Sequence, residues 1–214
     1  MKNKKDKSST KKVNLFIQEL IKGIEKDVIS VTLFGDMKNF KIGVSDIDLF
    51  ILTKSNKEKD VKRKIKHLFL LLDKKYKLQF AKVCFGYGKN IFARILIKFE
   101  NLFFYRVPYY IFSNEKVIPE KQYIRCWKVK LLSIFGSLKI FWRYIKGGKI
   151  IHGNDFTSKI EVREISQFEK FKNLFFLFLL ALVSIIVDFE NGKHILQKVL
   201  KFNRHEFWKS TKLF

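Results

Sequence analysis

The chain has 214 residues, with 44 Lys and Arg against 20 Asp and Glu, a formal net charge of +24, and an apolar content of 47% that includes 16% aromatics. That is enough apolar side chain for one generous domain or two small ones, and it excludes a chain disordered throughout. The charge points to a polyanionic partner such as RNA, a nucleotide or an anionic membrane surface, although Lys also serves as the default surface residue in a chain this rich in Lys, Ile, Phe and Asn. Cys84 and Cys126 lie in apolar stretches without metal-ligand spacing, which argues against a zinc site and for a reducing, cytoplasmic setting.

In chain order, residues 1–12 (MKNKKDKSSTKK) have the charge of a signal-peptide start but no apolar core close behind, and are expected to be a disordered basic tail. From Val13 the apolar positions 13, 15, 16, 20, 21 and 24 predict an amphipathic helix packed on a sheet. A strand follows at Ile29–Phe34. The connector Asp36–Val44, bracketed by Gly35 and Gly43, is expected to hold a short turn of helix. A second strand, Ile47–Thr53, opens on Asp46-Ile47-Asp48. Side chains alternate along a strand, so Asp46 and Asp48 would project from the same side about 7 Å apart, close enough to share divalent cations.

The pattern Leu33-Phe34-Gly35, a connector, then Ser45-Asp46-Ile47-Asp48-Leu49 resembles the polymerase-β-like nucleotidyltransferase superfamily. The resemblance implies an α/β (α+β) fold, a nucleotidyltransferase-like mixed sheet flanked by helices, over residues 13–118, followed by a helical region over 119–214. It implies that Asp46 and Asp48 hold Mg²⁺ or Mn²⁺, that Gly35 lets the backbone approach the phosphates of an NTP, and that Ser45 positions the turn. Asp36 departs from the family pattern, standing where Ser is usual. A carboxylate there faces away from the phosphates, helps to hold metal, or precludes triphosphate binding.

Beyond this motif, Ser55–Tyr76 reads as a basic amphipathic helix. Its Lys62, Arg63, Lys64 and Lys66 are either a solvated face or a path for nucleic acid. Leu78–Phe85 reads as a third strand, the place where the family often carries a third carboxylate. No acid occurs in it, and Glu100 and Glu115 are the candidates further on, neither with a distinctive local motif. Residues 89–105 are expected to be helical and 107–113 extended. Helices then follow at about 120–146, 164–187 and 191–212.

Between the first two of these helices, residues 147–156 (GGKIIHGNDF) resemble a segment of archaeal and bacterial nucleotidyltransferase-domain proteins, with His152 in an aromatic place. A second Phe-Gly-Ser, at Phe135-Gly136-Ser137, has no Asp-x-Asp after it and is read as a helix contact. The apolar run Leu174–Val187 is about 21 Å long as a helix, short of a bilayer core, so a buried core helix is expected, with membrane attachment as the alternative. Trp127, Trp142 and Trp208 are read as core and helix-contact residues.

Three functions follow. The first is transfer of an NMP from an NTP to a hydroxyl of RNA, a protein or a small molecule. The second is a degenerate member of the same fold that binds nucleic acid or protein. The third is a membrane-associated basic protein.

Overall fold

The computed structural model describes residues 2–34, 42, 45, 47–85, 89, 91–102, 108–135, 137–161 and 163–187. Its sheet is built on two apolar strands, β1 (Val28–Phe34) and β2 (Asp48–Thr53), paired antiparallel with Phe34 opposite Asp48 and Val28 opposite Thr53. β3 (Tyr109–Ser113) lies parallel to β2, and β6 (Lys149–Gly153) lies antiparallel to β1, giving the order β3-β2-β1-β6. A separate small hairpin pairs β4 (Val117–Ile118) with β5 (Tyr123–Ile124). Every residue of β2 after Asp48 is buried, as a strand covered on both faces requires.

Period-2 alternation sorts the strand residues between two cores. On one face Val31, Leu49, Ile51 and Ile111 meet α1 (Lys2–Lys22) and α2 (Glu58–Tyr76). α1 buries Val13, Phe16, Ile17, Leu20 and Ile21, a helical stripe, and Phe16 sits edge-on to both Phe69 and Phe80 with centroids 5.2 Å apart. On the other face Phe50, Leu52, Tyr110 and Phe112 meet Trp142 and Ile145 of α6 (Leu138–Lys146), together with Phe156 and Ile160. Phe50 stacks on Phe156 at 5.1 Å.

β6 is held by two close approaches. A Cβ on Gly148 would fall 2.6 Å from the Thr32 methyl and 2.9 Å from the Leu33 carbonyl oxygen, and Gly153, at φ +75°, turns the chain where a Cβ would overlap the Ile29 carbonyl. From there residues 155–161 and 163–166 run back along α6. Lys139, Arg143 and Lys146, one turn apart on that helix, donate to the carbonyls of Glu164, Arg163 and Ile160 in turn. The chain then enters α7 (Gln167–Val187).

Several expectations change. Residues 78–85 are not a strand: Phe80–Phe85 is a helix, α3. The Asp73 carboxylate, buried at the end of α2, accepts the N–H groups of Phe80 at 2.9 Å and Ala81 at 2.8 Å, caps the new helix, and so puts Leu78, Phe80 and Cys84 into the core. The sheet's third strand is therefore β3. Past residue 119 the chain is not wholly helical, since β5 and β6 interrupt it. The helix expected over 120–146 is two, α5 (Trp127–Phe135) and α6, and Ser137 is the N-cap of the second, its Oγ accepting from the Ile140 N–H at 3.4 Å. Trp142 is a core residue, but Trp127 is 58% exposed. α1 is helical from Lys2, within the stretch expected to be a tail. The helix expected at 191–212 and Trp208 lie outside the described residues. α7 is not a core helix: it buries Leu177 and Ala181 and exposes Phe168, Phe171, Phe175 and Phe178.

Candidate functional site

The antiparallel register places Phe34, the last residue of β1, beside Asp48, the first of β2. Phe34, from the first half of the Leu-Phe-Gly…Ser-Asp-x-Asp pattern, and Asp48, from the second, thus meet at one end of the sheet's two inner strands. Of the residues singled out there, Ser45 and Asp48 are described, each partly exposed. Gly35, Asp36 and Asp46, and the expected helical turn of the connector, lie outside the described residues.

Asp48 stands on the face that carries Phe34, Phe50 and Tyr110. Phe34 and Tyr110 approach to 5.7 Å between centroids, and Tyr110 meets Phe141 edge-on at 5.3 Å. The carboxylate therefore sits at the rim of an aromatic floor, where water is excluded on one side and a charge interacts more strongly than it would in bulk solvent. β3 is locked to the same end, because the Leu49 N–H donates to the Pro108 carbonyl at 3.1 Å.

The parallel register decides where a third carboxylate can stand. Leu49 pairs with Tyr109 and Phe50 with Tyr110, so the β3 neighbours of Asp48 are Pro108 and Tyr110, and β3 (YYIFS) carries no acid. Glu115 follows the far end of β3, about 17 Å or more along the strands from Asp48, so it cannot join that residue. Glu100 belongs to α4 (Ile91–Leu102), and its side chain lies outside those described. Among the described residues no group of three or more His, Cys, Asp or Glu side chains could hold a metal ion.

The far end of the sheet is occupied by a structural acid with no motif around it in the sequence. Glu58, partly buried at the start of α2, accepts from Lys62 at 2.5 Å, from Lys116 at 2.8 Å and from the Ser113 N–H at 3.2 Å. Burial opposes its ionisation, but the two ammonium groups outweigh that and hold its carboxyl below the ordinary range. It ties α2 to the end of β3 and takes no part at the Asp48 end.

The basic helix α2 is partly committed within the molecule. Lys62 pairs with Glu58, Arg63 with Asp60, Lys64 with Asp27 and Lys75 with Glu19, which leaves Lys59, Lys66 and Lys74 as its exposed basic residues outside these ion pairs. His152 pairs with Val31 in the β1–β6 ladder, partly exposed and away from the Asp48 end. No family model, curated protein or solved structure matches this chain.

Proposed function

We propose that the chain is a metal-dependent nucleotidyltransferase that moves an NMP from an NTP to a hydroxyl acceptor. The observation that carries the reading is the Phe34–Asp48 pairing: it sets the Gly-bearing end of β1 against the carboxylate-bearing start of β2 at one sheet end. Oxygen donors alone, from Asp48 and Asp46, suit a hard cation such as Mg²⁺, and Asp48 is partly exposed. Asp46 and Asp48 would hold the Mg²⁺, which would supply positive charge to the phosphates and to the leaving pyrophosphate. Gly35, next to Phe34, lets the main chain approach a phosphate, and Ser45 positions the residue that follows it. Such transfer depends on positioning and electrostatics, so either aspartate carries orders of magnitude of the rate.

A second reading, a binding protein on the same scaffold, is favoured by Pro108 and Tyr110 standing where a third carboxylate would be expected. RNA or protein would then be held by the basic surface. The deciding experiment is transfer of label from each α-labelled NTP, with Mg²⁺ or Mn²⁺, to RNA, protein and the chain itself, comparing wild type with Asp46→Asn/Asp48→Asn. Transfer lost in the double variant establishes the enzyme. Cation-independent RNA binding with no transfer establishes the second reading instead.

A further inference from the structure

α7 presents an apolar face to solvent that the two cores do not use. Phe168, Phe171, Phe175, Phe178, Leu179 and Leu182 are all exposed, Phe168 by 71% and Phe171 by 64%. At 100° per residue they fall within an arc of about 100°, and they extend about 21 Å along the helix. The opposite side of the same helix buries Leu177 and Ala181. α7 packs against α4 and α5, and these add exposed Ile91, Phe92 and Ile95 from the first and Trp127 and Ile134 from the second. A patch of this kind marks a docking surface.

The charges around it identify the occupant. The described charged side chains of α4 and α5 are all basic, with Arg94, Lys98 and Lys130 exposed. The acid of α7, Glu169, is taken up by Lys139 and by the Ser166 hydroxyl and N–H. A second copy of this chain would bring a further charge of +24 against the same basic surroundings. An anionic bilayer offers the opposite charge and an apolar layer beneath it. Among the described residues no helix is long and apolar enough to cross a membrane, so the geometry is that of a helix lying in the surface.

We infer that α7, with the neighbouring faces of α4 and α5, is a peripheral docking site for an anionic lipid bilayer, the phenylalanines entering the headgroup boundary and the basic residues meeting lipid phosphates. The inference is independent of the chemistry at Asp48.

The test is flotation of the full chain with vesicles of phosphatidylcholine alone and with about a third phosphatidylglycerol. Binding is expected to the anionic vesicles only. Phe171→Ser/Phe175→Ser/Phe178→Ser, all exposed positions whose folding is checked by circular dichroism, should weaken it at least about tenfold, and Arg94→Gln/Lys98→Gln by about twenty-five-fold, about fivefold for each charge. Raising the salt should weaken the wild type. Absence of vesicle binding, or binding indifferent to the serine substitutions, overturns the inference. So does a dimer in sedimentation that the serine substitutions dissociate, which would assign the face to a second copy.

Discussion

Asp73 offers the sharpest test of why residues 78–85 leave the sheet. Its carboxylate is buried and accepts two main-chain N–H groups, those of Phe80 and Ala81, while its own carbonyl accepts the N–H of Leu78. Asp73→Ala removes two charge-assisted hydrogen bonds and leaves the donors at the start of α3 without an acceptor in a region where Leu78 and Phe80 are fully buried. Caps of this kind are worth about 0.5–2 kcal/mol, and bonds to a charged group about 1.5–3 kcal/mol each; part of that is offset because a buried charge no longer has to be desolvated. A net loss of about 3 kcal/mol follows. With a urea slope of about 2 kcal/mol per molar, the midpoint falls by about 1.5 M at unchanged slope. Asp73→Asn keeps one acceptor oxygen but turns an amide donor toward the other N–H, so it should lose about half as much. An alanine variant within about 0.5 kcal/mol of wild type would refute the capping account.

Gly153→Ala forces a Cβ into the Ile29 carbonyl at a left-handed residue, and thermal unfolding should show a loss of about 3 kcal/mol or failure to fold. In the label-transfer assay, Asp48→Asn alone should reduce activity by about 10²-fold or more, with the fold retained by circular dichroism, because Asp48 opens β2 at its end. The contribution of Glu58 to stability should be constant above the ordinary Glu pKa of 4.5 and be lost as the pH drops through its lower folded-state value; Glu58→Gln should flatten part of that acid limb in pH-dependent urea titrations.

The inner strands and the helices around them were legible because their patterns admit one period. β1, β2 and α2 follow directly from alternation and from i, i+3, i+4 spacing, whereas the first helix differs in its start, Lys2 instead of Val13, and slightly in its orientation: Ile17 is buried and Leu15 is 39% exposed. The stretch LQFAKVCF fits a strand and a helix equally well, and the choice is made by Asp73, a residue outside the pattern. β6 was missed because KIIHG is short and lies between helices, and its place depends on two glycines fitting against β1. Residues 174–187 are apolar on nearly all sides, so composition could not say which side would be covered. At the site the residue types were legible, while the position of Glu115 beyond the far end of β3 follows only from the strand register.

The Phe34–Asp48 pairing also separates what the chain must keep from what it can change. Two strands zipped as far as that pair hold the ends of segment 35–47 at neighbouring main-chain positions, whatever lies between. Lengthening a closed loop is inexpensive, about 0.6 kcal/mol for each doubling. Insertions or exchanges within 36–44 that spare Ile42, which packs against the core beneath α1 and α2, should therefore leave the melting temperature nearly constant, and under the proposed function they would be the place to graft new specificity.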